Sequence, residues 1–226
     1  MRFDMMTLFP ELVLGVLNES IIGRAGARGI LEIYAHNIRD FSKDKFRRVD
    51  DTPYGGGKGM LMGAEPIYDC YLHIKEGAIQ KPYVIYTSPQ GKPFTQKTAV
   101  RLAREQTHIV ILCGHYEGVD RRIVEEIVDE ELSIGDYVLT GGELPACVIV
   151  DAVARMIDGV LPDPACYENE SFYAGLLEEP QYTRPPVFHG RAVPEVLLSG
   201  DHEKIKQWRY EAALALTLKN RPDLIK

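Results

Sequence analysis

The chain has 226 residues, of which 45% are hydrophobic and 26% charged, and it carries a formal net charge of −7. These values are typical of a globular protein and argue against a generic nucleic-acid binder, which would usually be basic overall. No apolar run is long enough to cross a bilayer, and the N terminus does not resemble a signal peptide. The four cysteines form no Cys-x-x-Cys pair and no zinc-binding spacing, so they predict reduced thiols in a cytoplasmic protein.

The first 80 residues predict a helix after Pro10 and a strand near residues 30–33. Residues 55–59 form a glycine-rich segment that superficially resembles a phosphate loop. Thr52 stands where a Walker A loop needs its first glycine and Gly59 where it needs Ser or Thr, so a phosphate-binding hydrolase is disfavoured. A flexible loop and a substrate loop both remain open for this segment.

Two later runs, residues 83–87 and 108–113, are short and rich in valine and isoleucine. Such runs suit strands that are covered on both faces of a parallel sheet. Each is followed by a glycine-containing loop and then a helix, for which Thr95 and Asp120 are the candidate caps. A third unit of this design brings three loops to one edge of the sheet, where open α/β proteins bind ligands.

The third unit is the segment from Ser133 to Pro145. Its pattern predicts an extended apolar segment that ends at Gly141 and Gly142. A helix is predicted to follow, from Glu143 to about residue 157. Paired glycines allow the backbone to approach a flat ligand and leave amide groups free to bind it. The alternative is a strand-to-helix turn that needs glycine only for a positive φ.

The C-terminal part divides into a stretch without periodicity, residues 161–180, and a helical pattern that follows an Asp201 cap. The core stripe predicted for this helix is Ile205, Trp208, Ala212 and Leu216. Residues 39–48 and 204–226 are locally basic. Each segment is either a solvated charged surface or a site that contacts RNA phosphates. We therefore predict an α/β domain over residues 1–160, a linker over 161–180, and a small, mostly helical domain over 181–226.

Several of these segments together resemble the bacterial tRNA (guanine-N1)-methyltransferase family of the SPOUT class, over essentially the whole chain. The matching runs are Asp51–Gly57, Ser88–Gly91, Cys113–Gly118, Ser133–Pro145, Gly175–Glu178, Tyr182–Pro185 and Val196–His202. The resemblance implies a parallel α/β sheet with a deep trefoil knot, an exception to the rule that chains are unknotted. It also implies S-adenosylmethionine as methyl donor and a homodimer whose active site lies at the subunit interface.

The activity implied is methylation of N1 of guanosine-37, next to the anticodon of tRNA. Guanine N1 carries a proton at neutral pH, so the reaction needs a base at N1 and a cation or donor at O6. The family position of the base is Glu170, where aspartate is usual, with Glu168 as the alternative. The cation is Arg155, with Asp151 as its orienting partner; without the resemblance, the pair would read as a surface ion pair.

The resemblance further implies a cofactor cavity built largely from backbone. The residues assigned to it are Tyr86, Ser88, Pro89, Gly91, Gly114, Glu117, Ile134, Gly135, Asp136, Tyr137, Val138, Leu139, Gly141, Gly142 and Pro145. Tyr116 and Tyr137 are otherwise expected to pack in the interior, as is Cys113. Mg²⁺ is implied without any ligands. The alternatives are an RNA-binding relative that has lost activity, and a methyltransferase for a different RNA position.

Overall fold

The computed structural model describes residues 1–163 and 165–225, so Pro164 and the basic Lys226 lie outside the described residues. The chain divides into two compact units, Met1–Pro162 and Asp163–Lys226. The strands are β1 (Arg2–Thr7), β2 (Glu32–Asn37), β3 (Asp50–Asp51), β4 (Leu61–Met62), β5 (Tyr83–Pro93), β6 (His108–Cys113), β7 (Glu130–Ser133), β8 (Val187–Phe188) and β9 (Arg191–Ala192). The α-helices are α1 (Pro10–Leu17), α2 (Ser20–Ala27), α3 (Ala64–Glu76), α4 (Gln96–Glu105), α5 (Arg121–Ile127), α6 (Glu143–Ala154), α7 (Ala165–Glu168), α8 (Glu195–Leu198) and α9 (His202–Asn220).

The first unit is built on a five-stranded sheet in the order β2-β1-β6-β5-β7. Every neighbouring pair in it is parallel, which confirms the predicted parallel α/β sheet. The run at residues 108–113 forms β6 as predicted, and the run at residues 83–87 forms the first part of β5. The loop predicted after Thr87 is instead an irregular stretch of β5, which shifts its register with β7 between Thr87 and Lys92 and continues to Pro93. β1 lies beside β6 near the centre of the sheet and escaped prediction, because the charged Arg2 and Asp4 interrupt its apolar run.

The third predicted strand is wrong in its position. β7 ends at Ser133, and residues 134–142 form a loop in which the Val138 side chain is 82% exposed. The chain turns out of the strand at Gly135, whose φ of +153° is rarely open to residues with a side chain. The apolar residues that suggested a buried strand belong instead to this loop.

The predicted helix starts are confirmed at their caps. The side chains of Thr95, Asp120 and Asp201 accept hydrogen bonds from backbone amides in the first turns of α4, α5 and α9, respectively. α6 begins at Glu143 as predicted but ends at Ala154 rather than near residue 157. The strand expected near residues 30–33 lies a few residues later, as β2.

The sheet has a hydrophobic cluster on each face, and alternate residues of β6 show how the strands serve both. Ile109 and Ile111 point into the cluster that contains α1 and α6, whereas Val110 and Leu112 point into the cluster that contains α3 and α5. All four side chains are fully buried. This two-sided burial explains why the strands read as continuous apolar runs.

A buried charge network joins the first strands of this sheet. The carboxylate of Asp4 in β1 is fully buried and accepts hydrogen bonds from Arg2, from His36 in β2 and from His108 in β6. Both hydrogen bonds to histidine are 2.7 Å long. Burial alone would raise the pKa of Asp4, but the hydrogen bonds from His108, His36 and Arg2 outweigh it and hold that pKa well below its usual range.

The second unit is centred on α9. The four residues of the core stripe predicted for this helix are only half-buried. The buried residues of α9 are Ala213 and Thr217, each next to a stripe residue in the sequence. The short hairpin of β8 and β9 projects exposed side chains. In the parts of both units that the structure describes, no helix has the length and apolar character needed to cross a membrane.

Candidate ligand site at the carboxyl edge of the sheet

A cavity of about 320 Å³ lies in the first unit where the pairing of β5 becomes irregular and β6 and β7 end. Its wall residues lie within three segments, 86–90, 114–124 and 131–145, which include the irregular stretch of β5 and the loops that follow β6 and β7. This is the edge at which a ligand site is expected in an open parallel sheet. The volume lies within the lower range of small-molecule sites, about 300–1,000 Å³.

Most of the residues assigned to a cofactor from the sequence are brought together here. Those that line the cavity are Tyr86, Ser88, Pro89, Gly114, Glu117, Ile134, Gly135, Tyr137, Val138, Leu139, Gly141, Gly142 and Pro145. Gly91 and Asp136 do not. Gly91 lies against β7, where a Cβ would come within 2.5 Å of the backbone of Glu131 and Leu132, and Asp136 is exposed.

Other wall residues were not assigned to the cofactor from the sequence. They are Thr87, Gln90, His115, Tyr116, Gly118, Val119, Arg121, Val124, Glu131, Leu132, Ser133 and Thr140. Several are chain neighbours of the motifs and could have been included on that ground. Nothing in the sequence indicated Arg121 or Glu131, because they belong to α5 and β7 and come together only in the fold. There the guanidinium of Arg121 lies 2.7 Å from a carboxylate oxygen of Glu131.

Gly142 shows why the paired glycines are needed. Its φ is −84°, so the expectation of a positive φ is wrong for this residue. A Cβ here would lie 2.2 Å from the hydroxyl oxygen of Thr87 and 2.8 Å from Cα of Cys113. The amide of Gly142 donates to the carbonyl of Gly114 at 2.8 Å. Glycine is therefore required because the loop presses against β5 and the end of β6.

Two tyrosines expected in the interior lie at the surface of the cavity instead. Tyr137 is 56% exposed, and Tyr116 is 42% exposed with a φ of +57°. The guanidinium of Arg39 donates to the Tyr116 hydroxyl at 3.3 Å. The basic segment at residues 39–48 therefore reaches the rim of the cavity through Arg39.

The interior wall is formed by Tyr86, whose ring lies against Gly114. A Cβ on Gly114 would be 3.0 Å from that ring. Burial raises the pKa of Tyr86, so its hydroxyl remains protonated at neutral pH. Burial likewise raises the pKa of Cys113, which agrees with the expected packing role and argues against a thiolate nucleophile.

Polar groups surround the start of α6. Glu143 is buried and accepts a 2.8 Å hydrogen bond from the hydroxyl of Thr7, at the end of β1. Nδ1 of His115 is buried and has no hydrogen-bond partner among the described residues. Both His115 and Glu143 lie within 3 Å of the position a Cβ on Gly141 would take. The first turn of α6 is thus fixed to β1 and lies against the loop after β6.

The glycine-rich segment borders the cavity through Glu117. A Cβ on Gly59 would lie 2.5 Å from a carboxylate oxygen of Glu117, and the amide of Glu117 donates to the carbonyl of Met60. Gly59 has a φ of +91°, and several of its neighbours have similar positive values. This contact places Gly59, at the end of the glycine-rich segment, beside the cavity.

Arg155, the cation assigned to the chemistry, lies away from this cavity. Arg155 is the C-cap of α6, whereas the cavity is at the N-terminal end of the same helix. A helix rises about 1.5 Å per residue, so the twelve residues of α6 separate the two by about 18 Å. Glu168 ends α7 and Glu170 follows it, both in the second unit.

Among the described residues, metal-binding side chains are not clustered. Within residues 1–163 and 165–225, no group of three or more His, Cys, Asp or Glu side chains could hold a metal ion. The implied Mg²⁺ therefore has no site that we can assign to described residues of this chain.

The parallel sheet and its glycine-walled cavity define an α/β protein with a cavity of small-molecule size at the carboxyl edge of the strands. A family model described as tRNA (Guanine-1)-methyltransferase TrmD matches residues 1–226. A tRNA (guanine-N(1)-)-methyltransferase of Ruminiclostridium cellulolyticum is 57% identical, over 99% of this chain and 96% of the relative. The protein of the same name from Clostridioides difficile is 52% identical, over 100% of this chain and 98% of the relative. The chain belongs to the tRNA (guanine-1)-methyltransferase family.

Proposed function

We propose that this protein transfers a methyl group from S-adenosylmethionine to N1 of guanosine-37 in tRNA, next to the anticodon. Two lines of support are family membership and relatives that carry the name tRNA (guanine-N(1)-)-methyltransferase. The observation that carries the proposal is the cavity where the pairing of β5 becomes irregular and β6 and β7 end. Because tRNA is the substrate, the cytoplasm is the compartment that we propose.

The cavity suits S-adenosylmethionine in its chemistry. Its glycine-rich loops bring backbone amides and carbonyls to the walls, which a flat adenine can use for hydrogen bonds. Glu117 offers a carboxylate for the ammonium of the methionine part, and Tyr86 forms an apolar wall. When bound, S-adenosylmethionine supplies an electrophilic methyl group on a sulfonium centre.

The chain supplies the base and the cation. Glu170 removes the N1 proton of guanine, and Arg155 stabilises the negative charge that grows on O6. The target base has to leave its stack, which costs least in a loop such as the anticodon loop. The basic rim at residues 39–48 and the basic end of the second unit are the phosphate contacts that we propose.

We propose a homodimer in which the cavity of one subunit meets Arg155 and Glu170 of the other. The length of α6 supports this arrangement, because it keeps Arg155 about 18 Å from the cavity of its own chain. For the first unit we propose the trefoil knot of the SPOUT class. The contact between residues 134–142 and residues 114–118, through the pairs Gly142–Gly114 and His115–Gly141, supports interlocked loops.

An exposed apolar face on α1 and α6 supports the dimer. The two helices pack against each other. The exposed side chains on them and on the residue before α1 are Phe9, Leu12, Val16, Leu144 and Val148. Contiguous apolar surface of this kind usually marks an interaction site. A second copy of the chain is the proposed occupant, through a two-fold interface in which each side chain is used twice.

We expect Val16→Asp to dissociate this dimer. Burying the unpaired carboxylate costs more than about 1.4 kcal/mol in each of two symmetric positions, which raises the dimer Kd by about 10²-fold or more. Sedimentation velocity across a concentration series measures the change. Ile79→Asp is the matched control, because Ile79 is fully exposed on a loop. A Val16→Asp protein that stays dimeric at the wild-type concentration would place the interface elsewhere.

Methyl transfer to purified bulk tRNA, followed by nucleoside analysis, tests the proposed reaction. The expected product is 1-methylguanosine, and sequencing the modified tRNA should place it at position 37. A different methylated position would favour the alternative RNA site. Binding of both S-adenosylmethionine and tRNA without any transfer would favour the inactive relative.

We expect Gly142→Ala to weaken S-adenosylmethionine binding by about 5- to 150-fold, since overpacking of this kind costs about 1–3 kcal/mol. The added methyl group would push residues 134–142 away from Thr87 and Cys113. Calorimetry measures the affinity. Gly77→Ala is the control, because its Cβ would make only an ordinary 3.8 Å contact. Wild-type affinity in Gly142→Ala would remove this loop from the cofactor site.

A further inference from the structure

The segment that carries Glu170 folds into a closed turn. The amide of Glu170 donates to the carbonyl of Tyr167 at 3.2 Å. Just beyond it, the amide of Phe172 donates to the carbonyl of Leu176 at 2.8 Å. Glu178 closes the turn, since its amide donates to the hydroxyl of Ser171 at 2.9 Å. The position of Glu170 is therefore coupled to residues 171–178.

This turn is anchored to α9 by one buried side chain. Thr217 is fully buried, and its hydroxyl oxygen accepts a hydrogen bond from the amide of Leu177 at 2.9 Å. The same hydroxyl donates to the carbonyl of Ala213 at 2.7 Å, which fixes its orientation. The hydroxyl of Thr217 is thus shared between its own helix and the turn.

A second contact between the turn and the end of α9 involves Phe172. The guanidinium of Arg221 lies 5.6 Å from the centre of the Phe172 ring. Arg221 is itself held by two hydrogen bonds to Asp223, of 2.9 and 2.6 Å. Phe172 has a φ of +75°, which a residue with a side chain keeps only where its surroundings hold it. The turn therefore takes its conformation from α9.

We propose that Thr217 is a positioning residue for Glu170: through Leu177 it fixes the turn from which the carboxylate reaches the N1 proton of guanine. The inference rests on the proposed role of Glu170 as the base. The physical reason is that a misplacement of about 1 Å can cost about 10²-fold in rate. Because Thr217 is buried, it acts through the turn and not by touching RNA.

Thr217→Val tests this proposal, because it keeps the branched shape of the side chain and removes only the hydroxyl. We expect kcat to fall by about 10- to 100-fold. The KM values for tRNA and for S-adenosylmethionine should stay within about threefold of the wild-type values, since the substitution leaves the binding of both substrates unchanged. Thr217→Ser restores the hydroxyl and should recover most of the wild-type kcat. Hydrogen exchange at the Leu177 amide should accelerate in the valine variant and not in the serine variant.

A wild-type kcat in Thr217→Val, measured while the Leu177 amide exchanges faster, would overturn the proposal. So would a change confined to the KM for tRNA, which would indicate RNA binding. If Thr217→Val fails to fold, Phe172→Leu is the second variant, since it removes the ring next to Arg221; its kcat should fall, and a wild-type value would overturn the proposal. Full activity in Glu170→Gln would instead refute the role of Glu170 as the base, and a wild-type protein that transfers no methyl group to tRNA would refute the proposed function, so these failures are distinguishable.

Discussion

Glu170→Gln is expected to lower kcat by about 10²–10⁴-fold, the usual contribution of a positioned general base. Glutamine keeps the size and the hydrogen-bonding shape of glutamate but has no basic oxygen that can take the N1 proton. Affinity for S-adenosylmethionine should change little, because the residues that line the cavity belong to the first unit and Glu170 belongs to the second. Single-turnover methyl transfer under saturating tRNA separates the chemical step from product release.

Two neighbouring variants make this result interpretable. Glu170→Asp should retain most of the activity, since aspartate is the residue usual in the family at this position. Glu168→Gln is the matched control, because Glu168 is an acid in the same segment, at the end of α7. If Glu168→Gln loses activity and Glu170→Gln does not, the base is Glu168. If neither loses activity, neither Glu168 nor Glu170 is the base.

The sequence was enough to predict the strands and helix starts that depend on neighbouring residues in the chain. β5 and β6 are continuous apolar runs because both faces of the sheet are covered, and the caps Thr95, Asp120 and Asp201 act within their own first turns. β1 was missed because its pattern makes sense only once distant strands are in place. Asp4 looks like a surface residue until β2 and β6 bring two histidines to it.

The site shows the same division. Glycine-containing loops after the strands predicted where the cavity would be, because parallel strands end at a common edge. The reason for Gly142 was not local: it depends on Thr87 and Cys113, which lie 55 and 29 residues away in the chain. Apolar residues after Ser133 suggested a strand, since periodicity does not distinguish a buried strand from a loop that lines a cavity. The roles of Glu170 and Arg155 came from family resemblance alone.

The buried Asp4 carboxylate should contribute strongly to the stability of the first unit. We expect Asp4→Asn to reduce the free energy of unfolding at pH 7 by about 3–5 kcal/mol, the usual effect of removing one partner from a buried charge network. The substitution weakens the hydrogen bonds from Arg2, His36 and His108, which tie β1 to β2 and β6. Urea denaturation followed by far-UV circular dichroism measures the loss of stability. Asp158→Asn is the control, since Asp158 is an exposed aspartate of the same unit.

The same network sets the acid sensitivity of the fold. The pKa of Asp4 in the folded protein lies well below its value of about 3.9 in an unfolded chain. A lowered pKa means that the unfolded state binds more protons, so the contribution of Asp4 is fully present above about pH 5 and is lost progressively as the pH falls below about 4. The difference in unfolding free energy between wild type and Asp4→Asn should therefore narrow between about pH 5 and pH 2. A difference that stays constant over this range would show that Asp4 stabilises the sheet by shape and not by charge.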